Sequence, residues 1–280
     1  MIPHGAVRLL RAHLEAGFVE DAMLLDALVC SIEHYHMGFT AENVAQKYGI
    51  TREEQDRVAV MSQERAIAAI KSGRFRDEIV AVEIKDKKGV RLFDTDEHPR
   101  EGTTVEVLAK LKTVFKENGT VTAGNASGVN DGAAAAVIMS EQKARELNIK
   151  PQAQVVSTVS AGVEPALMGL GPAVAIPLAL QRAQLKFSDI GYWEVNEAFA
   201  AQFLGVGRKL KLDYGVEFNM DIVNRNGSGI SLGHPVGCSG LRVIVTLLHE
   251  MQKMDARIGC ASLCAGGGPA MATIISRDSV

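Results

Sequence analysis

Helical and extended patterns alternate through the second half of the chain, and this alternation limits the possible folds more than any other feature. Apolar residues recur at helical spacing in three segments, 173–183, 198–210 and 241–254. Extended apolar segments lie between and around them at 155–163, 191–195 and 259–275. Such alternation is typical of α/β proteins, so we predict a layered fold in which helices cover a sheet.

The first half of the chain has mainly helical patterns. A pattern over 5–29 is followed by a helix that Thr40 can cap and Gly49 can end. Thr51 then begins a capping box, which predicts a long helix ending near Gly73.

Two segments between these halves are predicted to be extended. Residues 79–84 alternate between apolar and polar types, as a strand does. Residues 133–139 form a continuous apolar run after the small, polar segment 120–128. Because the run is too short for a good helix, we predict a loop that enters a buried strand.

The composition narrows the classes of function. With 280 residues, 47% of them hydrophobic, the chain can bury a substantial core. A net charge of −3 with mixed signs gives no field for nucleic acid or anionic lipid, and no apolar run approaches a membrane span. Four cysteines at uneven spacings indicate a reducing compartment rather than a disulfide framework. We expect a soluble cytoplasmic protein without a targeting peptide.

A histidine near the end of the chain lies in a glycine-rich turn. Gly233 and Pro235 flank His234, and residues 237–241 lead into a predicted helix. The first N–H groups of a helix can bind an anion or a developing oxyanion. The alternative is a histidine whose hydrogen bonds are satisfied inside a tight turn.

A cysteine occupies a similar place between a strand and a glycine-rich turn. Cys264 follows the apolar strand 258–263 and precedes the glycines 266–268. Backbone N–H groups or a nearby histidine can lower the pKa of such a thiol, although a free cysteine is usually a small buried apolar residue. A metal site from Cys238, Cys260, Cys264 and His234 has a poor ligand spacing, so we predict none.

A third polar element is Asn196 with Glu197, where an extended segment ends and a helix begins. Asn196 either caps that helix or fixes a water or an oxyanion with its amide. The segment 124–128 has the wrong glycine spacing for a dinucleotide fingerprint. Residues 237–240 lack the spacing of a serine hydrolase nucleophile.

Five motifs spread over nearly the whole chain occur in a characteristic order. They are Tyr-His-Met-Gly at 35–38, the segment 120–132, Asn-Glu-Ala-Phe at 196–199, Gly-His-Pro at 233–235, and Cys264. Together they resemble the thiolase family, and most of all its short-chain acetyl-CoA acetyltransferases. The resemblance implies acyl transfer between coenzyme A thioesters, as thiolysis or Claisen condensation, with no further cofactor.

The resemblance also implies roles for individual residues. In this family a cysteine thiolate becomes acylated, and His234 would activate that thiolate. Cys264 would exchange a proton with the α-carbon of acetyl-CoA, which suits a pKa near the working pH. Asn196 would hold a water in one oxyanion hole, and the N–H of Gly266 would contribute to a second. Seven residues would line the acyl and pantetheine pocket: His36, Met37, Ala123, Gly124, Ser127, Ala198 and Phe199.

The family's fold implies three parts for this chain. Residues 1–119 would form a loop domain, 120–150 the remnant of an incomplete first core domain, and 151–280 a complete second core domain. The segment that carries the family's nucleophilic cysteine has no match here, and Cys30 does not match its setting. We therefore expect a separate polypeptide to supply the missing half and its cysteine.

Two alternatives to a catalytic subunit stay open. The chain can be a non-catalytic thiolase-like protein that binds CoA esters or serves as a scaffold, or it can be a truncated thiolase. The presence of Asn196, His234 and Cys264 favours the enzyme, because a scaffold needs none of the three. The resemblance further implies dimers or tetramers, and it leaves the acyl-chain length open.

Overall fold

Capping residues define the helices of the first half. The computed structural model describes residues 21–87 and 89–278, so most of the helical pattern over 5–29 lies outside the described residues. Helix α1 is Met37–Tyr48 and ends at Gly49, whose φ of 61° lies in the left-handed region. Helix α2 is Arg52–Ser72; it begins with the predicted capping box and ends at Gly73. A π-helical turn, Leu24–Leu28, precedes them.

The predicted start of α1 is wrong by one turn. His36 is its N-cap, with Nδ1 accepting a hydrogen bond from the Gly38 N–H. Thr40 lies inside the helix, where its hydroxyl donates to the carbonyl of Met37 over 2.6 Å. Both residue types can bond to nearby backbone, and the local pattern favoured threonine because histidine is a rarer cap.

A β-hairpin and a short helix follow. Strands β1, Val82–Asp86, and β2, Gly89–Phe93, pair antiparallel. The first begins three residues later than the alternation over 79–84 predicts. Helix α3, Val105–Leu108, has only one turn, capped by the Thr104 hydroxyl.

The prediction of a buried strand over 133–139 is wrong. This segment has no strand geometry, and Val137 and Ile138 are 87% and 82% exposed. Within residues 21–87 and 89–278, no strand pairs with it. A continuous apolar run becomes a buried strand only where neighbouring strands supply hydrogen bonds and cover both faces. Helix α4, Glu141–Glu146, follows as predicted.

The C-terminal half is built on one four-stranded sheet. Its strands are β3, Gln154–Gly162; β4, Tyr192–Val195; β5, Ile258–Cys264; and β6, Pro269–Ser276. They lie in the order β3-β6-β5-β4. Strands β4 and β5 are parallel, and the other neighbours are antiparallel. The three glycines connect β5 to β6, as predicted.

Helices cover both faces of this sheet. They are α5, Pro172–Ala183; α6, Ala200–Tyr214; α7, Gly229–Leu232; and α8, Ser239–Lys253. Two 3₁₀ turns, Pro165–Leu170 and Phe187–Asp189, connect elements. Trp193 packs in one core with α5, whereas its neighbour Tyr192 packs in another with α8. Successive strand residues point to opposite faces, so α5 and α8 lie on opposite sides of the sheet and the predicted layered α/β fold is confirmed.

The described helices also bear on membranes. Within the described ranges, none combines the length with the apolar composition that crossing a bilayer requires.

Candidate active site

The carboxyl ends of two parallel strands bring Asn196 and Cys264 to one edge of the sheet. Val195, the last residue of β4, pairs with Ser262 of β5. The backbone N–H of Asn196 continues this ladder and donates to the carbonyl of Ser262 over 3.0 Å. Cys264 ends β5 two residues later. Because parallel strands end at the same edge, both side chains are available to one site.

His234 joins this edge through Asn196. Its Nε2 lies 3.3 Å from the Asn196 amide nitrogen, and its Nδ1 lies 2.6 Å from the Ser239 hydroxyl. That hydroxyl donates to the carbonyl of Pro235 over 3.1 Å. The Ser239 oxygen therefore accepts from an Nδ1–H group, and the lone pair of Nε2 faces the Asn196 amide.

The imidazole of His234 is neutral at physiological pH. Burial, and to a smaller extent the positive charge of Arg242, lower its pKa to about 4. The backbone N–H of His234 donates to Oδ1 of Asn130 over 3.2 Å. Gly233 adopts a φ of 91°, and a Cβ there would lie 2.5 Å from the Asn130 side chain, so this turn requires glycine.

Cys264 is buried and protonated in this arrangement. Only 6% of it is exposed, and burial raises the pKa of its thiol to about 12. The expectation of a pKa near the working pH is therefore not met. As a thiol, Cys264 can donate a proton, and it can accept one only after a neighbouring base has taken its own.

An apolar cluster surrounds Cys264. It contains Met37, Ala198 and Phe199, together with Ala126 and the wholly buried Cys30. Gly266, in the turn after β5, lies against Met37: a Cβ at this position would be 2.3 Å from Cε of Met37. The structure thus brings Met37, Ala198, Phe199 and Gly266 together with Cys264.

Backbone contacts tie the 125–127 segment to this cluster. The N–H of Ser127 donates to the carbonyl of Ala198 over 2.9 Å, and the N–H of Ala200 donates to the carbonyl of Asn125 over 2.9 Å. Ser127 therefore lies beside Ala198. Ala123 is exposed, and Gly124 lies against Leu108 and Leu111, on the side of the segment that faces α3.

His36 reaches the cluster through a phenylalanine. Its ring stacks on Phe115 at a centroid distance of 4.6 Å, and Phe115 meets the ring of Phe199 edge-on at 6.2 Å. Burial lowers the pKa of His36, so this imidazole is also neutral at physiological pH.

Three contacting residues were missed by sequence reasoning. Ser239 and Asn130 hydrogen-bond to His234, and Arg242 places a positive charge near it. Ser239 lies five residues after His234, at the start of a helix. A hydroxyl at that position can hydrogen-bond to the residues just before the helix, so the sequence did contain a signal for this contact. Nothing local indicated that Asn130 would contact His234. In the part of the chain that the structure describes, no group of three or more His, Cys, Asp or Glu side chains could hold a metal ion.

Comparison with known proteins gives matches along the whole chain. A family model for the thiolase N-terminal domain matches residues 4–142, and one for the thiolase C-terminal domain matches residues 149–277. The acetyl-CoA acetyltransferase of Pseudomonas aeruginosa is 54% identical over 259 residues, which are 92% of this chain and 64% of that protein. The Escherichia coli acetyl-CoA acetyltransferase is 52% identical, over 93% of this chain and 65% of that protein.

Solved structures agree with these matches. The acetyl-CoA acetyltransferase of Syntrophomonas wolfei superposes with a TM-score of 0.90 at 50% identity, over 95% of this chain and 66% of that one. The human mitochondrial 3-ketoacyl-CoA thiolase in complex with CoA gives a TM-score of 0.86 at 41% identity, over 95% and 66%. The chain thus spans about two thirds of the length of the relatives it matches. On the matched domains and the shared fold, this chain belongs to the thiolase family.

Proposed function

We propose that this chain carries the histidine, asparagine and proton-transfer cysteine of a thiolase-type acyltransferase acting on acetyl-CoA and acetoacetyl-CoA. The observation that carries the proposal is the hydrogen-bonded series Asn196–His234–Ser239 at the same edge of the sheet as Cys264, where β4 and β5 end. The names of the P. aeruginosa and E. coli relatives support acetyl-CoA as the substrate class. The CoA complex of the human thiolase supports a CoA compound as the substrate. That no further cofactor is needed is part of the proposal.

Each of the three side chains has a state suited to its proposed role. Neutral His234 offers Nε2 as a base toward the nucleophilic thiol. The Cys264 thiol returns a proton to the α-carbon in thiolysis; in condensation it takes one as the thiolate, after a neighbouring base has removed its own proton. The buried Oδ1 of Asn196 has no hydrogen-bond partner among the described residues, which supports a role in holding a water. The water held by Asn196 and the N–H of Gly266 would each donate a hydrogen bond to an oxyanion. Each such donor contributes about 3–4 kcal/mol to the stability of the oxyanion.

The acyl and pantetheine pocket belongs to the same proposal. The contacts of Met37, Ala198 and Phe199 with the cluster around Cys264 support an acyl-binding role. The position of Ser127 beside Ala198, and the stacking of His36 on Phe115, support roles along the pantetheine arm. Ala123 and Gly124 stay candidates for the outer part of that path.

We further propose that the nucleophilic cysteine comes from outside these 280 residues, on a second polypeptide. Cys30 and Cys260 are wholly buried, and burial raises the pKa of Cys260 and of Cys238. Burial thus disfavours a thiolate at Cys238 and at Cys260, and Cys30 is closed to solvent. The exposed apolar run 133–139 supports a partner that supplies strands beside it. This proposal also includes three expectations from the sequence. They are the division of the chain at residues 119 and 150, a cytoplasmic location, and an oligomer built from assemblies of this chain with its partner.

Complementation tests the catalytic part. The purified chain is mixed with a polypeptide comprising the N-terminal part of the P. aeruginosa relative that this chain does not match, and thiolysis of acetoacetyl-CoA is followed. We expect turnover that depends on both polypeptides, and a loss of 100-fold or more in His234→Ala. His249→Ala is the control, because His249 is a half-buried histidine farther along α8. Unchanged turnover in His234→Ala would refute the role of that residue.

The partner itself is tested by mass spectrometry of the tagged chain, purified intact from its source. A stoichiometric polypeptide with a thiolase-like N-terminal half supports the proposal. Recovery of the chain alone, or with an unrelated enzyme, contradicts it and leaves a non-catalytic or truncated protein.

A further inference from the structure

A row of polar side chains extends inward from His234 between β4 and α8. Tyr192 and Glu194 lie two residues apart on the face of β4 that packs against α8, and Asn196 continues this alternation. On α8, Ser239 and Arg242 are three residues apart and share one side of the helix. The row therefore places one polar pair of α8 opposite one polar pair of β4.

Two contacts connect these layers. The outer contact is the series Asn196–His234–Ser239 already described. The inner contact joins Arg242 and Glu194: Nη1 of Arg242 lies 4.0 Å from Oε2 of the Glu194 carboxyl group. Glu194 is completely buried, and its other oxygen accepts a hydrogen bond from the Tyr192 hydroxyl over 3.0 Å. The inner pair thus lies one helical turn from the serine that holds the histidine.

The inner pair is not explained by stability alone. Oε2 of Glu194 and both Nη atoms of Arg242 are buried without a hydrogen-bond partner among the described residues. Taking a guanidinium and a carboxyl group out of water is costly, and apolar residues of similar volume are often as stable or more so. Such pairs can instead specify a unique arrangement of the elements that carry them.

We propose that Arg242 and Glu194 are positioning residues for His234: their pairing fixes the rotation of α8 against β4 and so holds the Ser239 hydroxyl at Nδ1. The consequence is a single tautomer, with the Nε2 lone pair directed to the site. This role deepens the proposed function, since it assigns the residues that prepare its base. Neither residue touches the reacting atoms.

The charge of Arg242 gives this role a measurable signature. His234 is faced by three neutral groups, those of Asn130, Asn196 and Ser239, and by the cation of Arg242 on α8. The carboxyl groups of Glu78, Asp96, Glu194 and Glu197 surround that cation, and in each of them burial raises the pKa while Arg242 opposes the rise. For Glu194 the result is a pKa of about 8. Removing the cation should therefore make His234 easier to protonate.

The test is ¹⁵N NMR of the 280-residue chain labelled at histidine, with His234 assigned by its loss in His234→Asn. In the wild type we expect the Nδ1–H tautomer. We also expect the midpoint of the His234 pH titration to lie well below that of an exposed histidine. Arg242→Gln should raise the midpoint by about one pH unit and mix the two tautomers. Glu194→Gln should mix the tautomers with little change in the midpoint.

Glu250→Gln is the matched control. Glu250 is also a buried carboxylate of α8, but it pairs with Arg74, whose Nε lies 3.0 Å from its Oε1. Its replacement weakens the same helix and should leave the His234 signals unchanged. The proposal is overturned if Arg242→Gln retains the wild-type tautomer and midpoint, or if Glu250→Gln shifts them equally.

Folding and function are separated by two further measurements. If Arg242→Gln does not fold, Arg242→Lys keeps the charge but loses the guanidinium geometry, so it should retain the midpoint and still mix the tautomers. Because the NMR readout needs no turnover, an inactive complemented wild type would refute the proposed function and leave the positioning role to be decided by the tautomer.

Discussion

At the scale of the residue, the chemical state of His234 depends on four neighbours from three separate segments of the sequence. Ser239 fixes the tautomer, Asn130 holds the backbone, Asn196 faces Nε2, and Arg242 opposes protonation. The neutral imidazole is consequently a property of the folded chain, and it should disappear on unfolding. That difference between the two states makes the histidine a source of pH-dependent stability.

We predict that this histidine destabilises the fold as the pH falls below 6.5. Its folded pKa of about 4 lies below the ordinary value of 6.5, so between these values the unfolded chain binds the proton more readily. His234 should make the free energy of unfolding about 2 kcal/mol smaller at pH 5 than at pH 7. Urea titrations at both pH values measure this, and His234→Gln should lack that share of the loss. An equal loss in the variant would assign the effect to other groups.

At the scale of the element, helices with a complete local signal were predictable. Helix α2 begins and ends where the capping box at Thr51 and the left-handed glycine Gly73 place its ends. This helix also contacts the segment that carries Asn196: the Ser62 hydroxyl donates to the buried carboxyl group of Glu197 over 2.5 Å. The capping of α2 therefore contributes to the order of the segment that carries Asn196.

Removing this cap gives a second prediction. The Thr51 hydroxyl accepts from the N–H of Glu54 over 3.2 Å, and the Glu54 carboxylate accepts from the N–H of Thr51 over 2.7 Å. Thr51→Ala should lower the free energy of unfolding by about 1 kcal/mol. Thr104→Ala is the control, because Thr104 is exposed and caps only the four-residue α3. Equal effects in thermal or urea unfolding would show that the box does not stabilise α2 specifically.

Elements and contacts that depend on distant residues were not predictable in the same way. The run 133–139 has the composition of a buried strand, yet the state of a strand is decided by its partners. The contact of Asn130 with His234 and that of Arg242 with Glu194 each join segments far apart in the sequence. Local sequence patterns carry no signal for such contacts. By contrast, Asn196, His234 and Cys264 could be singled out as candidates because each lies at a strand end or glycine-rich turn that is visible locally.

At the scale of the whole molecule, the exposed apolar run 133–139 bears most directly on the proposed partner. Exposed apolar side chains that are contiguous usually mark an interface. Val137 and Ile138 are among the most exposed apolar residues of the described chain. The relatives share this fold and are longer, and this chain spans 64% of the P. aeruginosa protein. On the proposal above, the run 133–139 is the surface that packs against strands of the partner.

A third prediction concerns the effect of introducing negative charges into the run 133–139. Val137→Asp with Ile138→Asp should leave the unfolding midpoint of the chain unchanged, because both side chains are largely exposed, and should reduce self-association in light scattering. The same pair should abolish complementation by the N-terminal polypeptide. Val121→Asp is the control: Val121 is wholly buried, so that variant should be strongly destabilised. A large drop in the midpoint of the double variant would show that the run is packed.

The central claim, that the acylated cysteine lies outside these 280 residues, is tested most directly by locating the acyl group. The complemented mixture is incubated with acetyl-CoA, quenched in acid and digested, and the acetylated peptide is identified by mass spectrometry. We expect a thioester on the cysteine of the N-terminal polypeptide and none on the four cysteines of this chain, Cys30, Cys238, Cys260 and Cys264. An acetyl thioester formed on one of these four without the added polypeptide would contradict the account.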